Sequence, residues 1–265
     1  MTNESWDGAE RYERYIGRWS RRVAPRFLEW LSAGRGLRWV DVGCGSGVLC
    51  EAATRVCVPA AVIGIDPSET YVATAARELG DPRLEFMVGD ASTLPVHAAV
   101  ADVVVSGLVL NFVPDAPRAL DEMCRVATPD GLVGAYVWDY ADGMELVRLF
   151  WEAAAAVDPA ADELAQGSRF PICAPGPLGD LFAAADLGEV ATTAIEIPTV
   201  FSDLDDLWLP FLGGQGAAGR YCSTLSADHL DAIRTELEAR VPIHADGSIP
   251  LSARAWAVRG TKGEA

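Results

Sequence analysis

Five short apolar runs recur through the first half of the chain: Leu37–Val42, Ala61–Asp66, Leu84–Val88, Ala101–Ser106 and Leu132–Val137. Each is five or six residues long. Their hydrophobicity is continuous rather than alternating, as in strands covered on both faces. Between them the spacing predicts helices over Gly47–Arg55, Ser68–Leu79 and Ala116–Ala127. Ser68 suits an N-cap, Glu69 the first turn and Gly80 the stop. Strand and helix alternating in this way predict an α/β protein with a doubly wound, mostly parallel sheet.

The flanks complete the sheet. Ahead of the first strand Trp19, Val23, Phe27, Trp30 and Leu31 recur at helical spacing, with Pro25 expected to kink or restart that helix. Beyond the fifth strand come an Ala-rich helix over Gly143–Val157 and a Pro/Gly-punctuated connection over 158–180. A short helix near Leu178–Ala185 follows, then a strand near Val190–Ile197. The stretch Phe201–Tyr221, with glycines at 213, 214, 216 and 219, reads as a mobile loop. Ser226 caps a helix with Leu230, Ile233 and Leu237 on one face, and Ile249–Val258 makes the seventh strand. With no Pro/Gly-rich linker, the expectation is one domain over 1–265. It comprises a helical segment (1–36), a ligand-binding core (37–137) and a substrate-side elaboration (138–265).

Charge narrows the function classes. The 265 residues carry a net charge of −17, and Lys262 is the sole lysine. Such a surface repels phosphate backbones and anionic lipid, which argues against nucleic-acid and membrane partners. Residues 1–40 run against this trend with a net of +3. Their arginines (11, 14, 18, 21, 22 and 26 among them) either meet an anionic ligand or form a solvated helical face opposite acidic neighbours. The opening MTNESWDGAERYERY has no apolar stretch, and the expected location is the cytoplasm. The six cysteines form no C-x-x-C pair and are not grouped with the three histidines, so reduced, mostly buried thiols and no metal site are expected. His97, His229 and His244 read as surface or loop residues.

The chemistry lies at the strand ends. VDVGCGSG (Val40 to Gly47) closes the first strand and opens a helix, and its glycines permit a tight turn and close approach of a ligand. The spacing is G-x-G-x-G, not the G-x-G-x-x-G of a dinucleotide fingerprint, and Asp41 precedes it, which suits a cationic group better than a pyrophosphate. Asp66 in GIDPSE ends the second strand, where a carboxylate can accept both hydroxyls of a ribose. Asp90 in GDASTLPV follows the third, where a carboxylate or amide can read an adenine edge. DVVVSGLVLNFVPD (Asp102 to Asp115) carries the fourth strand into a loop and a helix.

Four such signals in register over residues 35–137 resemble the class I S-adenosylmethionine-dependent methyltransferases, in particular the small-molecule group that includes the quinone-biosynthesis C-methyltransferases. The resemblance implies a Rossmann-like fold, S-adenosyl-L-methionine as cofactor and a small-molecule acceptor. By the same resemblance Gly43, Cys44 and Gly45 run along the methionine portion with Asp41 near its amino group. Asp66 would hold the ribose, Pro67 flank the adenine, Asp90 and Ala91 read its edge, and Ser106 and Gly107 line the sulfonium side. Tyr15 and Arg18 would close over the cofactor. Two departures stand out: Asp130 in TPDG replaces the first glycine of a Pro-Gly-Gly turn, and Leu110-Asn111-Phe112 lacks the histidines frequent in relatives.

Acceptor-side candidates follow from position. Trp138, Asp139 and Tyr140 come at the carboxyl end of the fifth strand, and Phe150, Trp208 and Phe211 lie in the elaborated half. One reading makes these aromatics the wall of an apolar pocket, with Asp139, Tyr140 or Asn111 orienting a nucleophile; the other makes them packing. The expected reaction is methyl transfer to a small aromatic or apolar acceptor by a monomer or homodimer. The alternatives are a cofactor-binding protein of the same fold with a non-methylating or regulatory role, and a nicotinamide-dependent oxidoreductase.

Overall fold

A computed structural model describes residues 16–164, 170–185, 187–214 and 216–263. Seven strands form one sheet in the order β3-β2-β1-β4-β5-β7-β6. They are β1 (Arg38–Val42), β2 (Ala61–Asp66), β3 (Leu84–Val88), β4 (Ala101–Gly107), β5 (Ala127–Trp138), β6 (Leu187–Phe201) and β7 (Ile249–Lys262). Neighbours β3-β2, β2-β1, β1-β4 and β4-β5 pair in parallel. Strand β7 runs the other way: Lys262 Nζ reaches the carbonyl of Ala127 at the start of β5, and Gly134 faces the carbonyl of Val258. The sheet is therefore doubly wound and mostly parallel. Its order reverses between β1 and β4, and the carboxyl ends there frame the usual ligand crevice of such sheets.

Two compact units make up the chain. Among the described residues the first comprises 20–137, 172–185, 187–195 and 255–263. Here β1 and β4 are buried almost throughout, as their continuous apolar runs require. Helices α2 (Val48–Val56), α3 (Glu69–Glu78) and α4 (Ala116–Val126) follow β1, β2 and β4. Ser68 caps α3 by accepting from the Tyr71 amide. That helix ends on an extended Leu79, so Gly80 is not needed in a left-handed conformation. The helix α1 (Arg18–Leu31) passes through Pro25 without interruption, and Val23, Ala24, Phe27, Leu28 and Leu31 are its buried stripe. Fully burying a side chain such as Phe27 contributes about 1.5–3 kcal/mol.

The TPDG turn behaves differently from expectation. Strand β5 starts at Ala127 rather than Leu132, because Ala127 pairs with Ala101 before the register shifts and Leu132 pairs with Val103. Residues 128–131 form the bulge, with Asp130 at φ 58°. An Asp tolerates that left-handed conformation better than most residues, which is how it stands where glycine is usual.

Among the described residues the second unit comprises 16–19, 138–164, 170–171, 196–214 and 216–254. It holds α5 (Glu145–Val157), α7 (Leu204–Trp208), α8 (Gly216–Ser223) and α9 (Ala227–Glu238); α6 (Pro175–Ala184) belongs to the first unit. Ser226 caps α9 by accepting from the His229 amide. The expected loop Phe201–Tyr221 is instead mostly helical, with a 3₁₀ turn over Leu209–Gly213 between α7 and α8. A Cβ at Gly219 would lie 2.7 Å from the backbone of Gly214, so this glycine serves a close backbone contact. No helix among the described residues is long and apolar enough to cross a membrane.

Candidate functional site

The glycine loop sits between β1 and α2. Gly43, Gly45 and Gly47 all have positive φ, at 77°, 53° and 83°. A Cβ on Gly43 would meet Val109 at 2.5 Å, and one on Gly47 would meet Leu79 at 2.5 Å. At Gly45 nothing lies within 4 Å, so the middle of the loop is open to a ligand while both ends are packed. The loop is tied to β2: Gly43 and Cys44 amides donate to the Ile65 carbonyl at 2.7 and 3.0 Å. Asp66 completes the tie, accepting from Gly45 N and from Ser68 N, both at 2.9 Å. Burial pushes its pKa up, partly offset by these two amides.

Asp41 is the most unusual group in this unit. Its side chain is 1% exposed, Oδ2 accepts from Cys50 Sγ at 3.1 Å, and Oδ1 has no partner. Burial raises its pKa to about 7, with the neighbouring charge of Asp66 adding to the effect. A buried carboxylate with an unsatisfied oxygen and no cation is costly unless a ligand supplies one. An ammonium group has the complementary charge and donors.

The remaining expected cofactor residues divide by exposure. Pro67 and Asp90 are exposed and Ala91 is half-buried. Asp90 Oδ1 accepts from Ser92 N at 2.7 Å. Ser106 is fully buried and its hydroxyl donates to the Val42 carbonyl at 2.8 Å, so its side chain ties β4 to β1. At Gly107 a Cβ would fall 2.6 Å from the Tyr136 hydroxyl, so the glycine makes room for that ring. Asn111 sits in the 3₁₀ turn Leu110–Phe112, two residues past the Val109 that packs on Gly43. It is 9% exposed and neither its Oδ1 nor its Nδ2 has a partner. Tyr15 lies outside the described residues.

In the second unit Arg18 pairs with Asp206 at 2.7 Å, and its guanidinium lies 4.5 and 4.7 Å from the ring centroids of Trp19 and Phe201. Its Nε and one terminal nitrogen are buried without a partner. Asp139 is 3% exposed; Oδ2 accepts from Arg254 Nε at 2.8 Å and Oδ1 from Asp142 N at 3.1 Å. Burial pushes its pKa up, but the Asp142 amide and Arg254 more than offset this and hold it below the usual carboxylate range. Tyr140 is buried with its ring 5.8 Å from Phe170. Phe150 stacks on Phe211 at 4.3 Å, and Trp151 and Trp208 join them in a buried cluster.

Several residues that organise these groups were not singled out from the sequence. Cys50 contacts Asp41, Arg254 holds Asp139, and Arg118, Glu122 and Arg125 of α4 bond to the loop after β3. The last three share a helical spacing that marks one face, which was the only local signal. None of the six cysteines is in a disulfide, and the described residues contain no group of three or more side chains suited to a metal.

A doubly wound sheet with a glycine loop after β1 and acids at the carboxyl ends of β1 and β2 and just after β3 defines a nucleoside-binding α/β protein. Residues 40–134 match the model of the methyltransferase domain. Nocamycin O-methyltransferase of Saccharothrix syringae is 33% identical over 186 residues, which span 64% of this chain and 66% of the relative. Trans-aconitate 2-methyltransferase of Variovorax paradoxus is 26% identical over 230 residues, covering 85% and 87%. The YcgJ protein of Bacillus subtilis shares the fold, with a TM-score of 0.60 at 20% identity over 92% of this chain and 99% of its own. Residues 40–134 are thus a methyltransferase domain of the class I S-adenosylmethionine-dependent kind. Its cofactor is S-adenosyl-L-methionine, and the orphaned Asp41 oxygen, the open face of Gly45 and the clamped Asp66 all fit that group.

Proposed function

We propose that this chain transfers the methyl group to a small aromatic or apolar acceptor bearing a hydroxyl-type group, in the cytoplasm, as a monomer or homodimer. The observation that carries the acceptor chemistry is Asn111, whose amide is buried with both donor and acceptor unpartnered. A hydroxyl can satisfy both at once, accepting from Nδ2 and donating to Oδ1. The net charge of −17 supports a small-molecule acceptor over nucleic acid or anionic membrane.

When bound, the cofactor would supply an activated sulfonium methyl: the acceptor oxygen would bond to that carbon in line as its bond to sulfur breaks, S-adenosylhomocysteine would leave, and the hydroxyl proton would pass to solvent. The protein has little bond chemistry of its own to perform, and orientation can supply about 7–11 kcal/mol at the favourable limit. In this reading Asp41 takes the ammonium, while Gly43, Cys44 and Gly45 flank the methionine portion. Asp66 takes the ribose, Pro67, Asp90 and Ala91 take the base, and the backbone of Ser106 and Gly107 lines the sulfonium side. Asn111 orients the acceptor hydroxyl.

The test has two arms. S-adenosylhomocysteine at about 100 times its dissociation constant should stabilise the protein by about 2.7 kcal/mol, and Asp66→Ala should abolish the thermal shift. A panel of phenols, enols and carboxylic acids is then assayed for methylated product by mass spectrometry with wild type and Asn111→Leu. Removing the buried orphan should raise the unfolding midpoint and cut kcat/KM about 10–150-fold. Undiminished turnover by Asn111→Leu would remove Asn111 from the acceptor site.

A further inference from the structure

The loop that follows β3 is held by one face of α4. Arg118 Nε donates to the Ser92 carbonyl at 3.2 Å. Arg125 donates to the Leu94 carbonyl at 3.2 Å and to the Val96 carbonyl at 3.0 Å. Glu122 accepts from Leu94 N at 2.8 Å and binds Arg125 through both oxygens, each at 2.8 Å. Glu122 is only 5% exposed. Residues 92, 94 and 96 are thus each fixed to the same helix. Within the loop itself the bonds are local ones, Ser92 N to Asp90 Oδ1 at 2.7 Å and Thr93 N to the Asp90 carbonyl at 3.0 Å.

We propose that Arg118, Glu122 and Arg125 are positioning residues that set the selectivity of this site for adenine, by fixing the backbone from which Asp90 and Ala91 project. The proposal rests on the reading that those two residues meet the base. Neutral side chains could pack α4 against the sheet, but a forked guanidinium caps two carbonyls two residues apart with fixed geometry. A binding group on a loop discriminates only as well as the contacts that hold the loop. Asp90 can accept from an exocyclic amine and cannot accept from a carbonyl in the same place, so its position decides between a 6-amino and a 6-oxo purine.

The experiment compares dissociation constants for S-adenosylhomocysteine and S-inosylhomocysteine by calorimetry. Wild type should prefer the adenosyl ligand about tenfold or more, and Asp90→Ala should lose the preference. The double variant Glu122→Gln/Arg125→Met removes both charges together, leaving no buried carboxylate unpaired. It should shrink the preference several-fold, with faster amide exchange at Leu94. Arg118→Met, at a more exposed position, should act in the same direction more weakly and covers the case in which the double variant does not fold. Equal weakening for both ligands, with the ratio kept, marks a merely structural role and overturns the proposal. No preference in wild type overturns it together with the adenine reading. Loss of preference in the double variant but not in Asp90→Ala supports the clamp and transfers the base contact from Asp90 to its neighbours.

Discussion

Asp41→Asn should make the ligand-free protein more stable and the ligand-bound complex weaker. Asp41 is 1% exposed, receives one weak thiol hydrogen bond from Cys50 and has no partner on Oδ1. Its pKa is accordingly raised from 3.8 to about 7. A carboxyl that holds its proton more tightly when folded destabilises the folded state once the unfolded chain has ionised. The penalty is absent below about pH 4, grows between pH 4 and 7, and is constant above. A carboxyl raised from 3.8 to about 7 loses at most about 4 kcal/mol of folded-state stability on ionising. Asn cannot ionise, so the variant should gain about 1–4 kcal/mol at pH 8, or about 2–8 °C in the midpoint of a chain this size. At pH 5 the gain should be less than half as large.

Binding should change in the opposite sense. A hydrogen bond to a charged group contributes about 1.5–3 kcal/mol, so calorimetry should find S-adenosylhomocysteine bound about 10–150-fold more weakly. In wild type the affinity should rise as pH is increased from 6 through 7, because ionised Asp41 is the form that accepts an ammonium. The variant should lack that rise. Unchanged stability at pH 8 together with unchanged affinity would refute the assignment of Asp41 as the amino-group site.

Gly43→Ala places a methyl 2.5 Å from Val109 at φ 77°, and urea denaturation should show a loss of about 1–3 kcal/mol. Gly45→Ala meets nothing within 4 Å, so its stability loss should be smaller while cofactor affinity falls at least as far, measured by the same two methods. Arg254→Met removes the cation from Asp139 and should cost about 1.5–3 kcal/mol above pH 5. Because the folded Asp139 pKa is depressed, that stability is present above the ordinary carboxylate range and is lost as pH falls through the folded value. The midpoints of wild type and Arg254→Met should therefore converge in acid.

What could be read from the sequence was local. The first four strands, their helices and the acids at the carboxyl ends of β1, β2 and β3 are written in contiguous runs, each within a few residues of the boundary found. The Ser68 and Ser226 caps are likewise decided within one helical turn. The misreadings have a different cause. Strand β5 begins early because Ala127 finds Ala101, a pairing across 26 residues that the Pro-Asp-Gly sequence conceals. The glycines of 213–219 look like hinge residues until Gly219 is seen against the Gly214 backbone.

The same distinction explains which parts of the site were visible. A glycine loop with Asp41 and Asp66 makes its contacts within one strand–helix–strand unit, so residue type and spacing carry its chemistry. The groups that aim it do not. Glu122 reaches Leu94 across 28 residues and Arg254 reaches Asp139 across 115, and no local pattern encodes either partner. Asn111 is the intermediate case: its position after β4 marked it, but its meaning comes from an amide left without partners in a buried setting. A ligand site is where such a vacancy is tolerated, since the ligand completes what the fold leaves open. On the proposed reading Asp41 and Asn111 would meet two ligand groups of opposite demand, one cationic and one able both to donate and to accept.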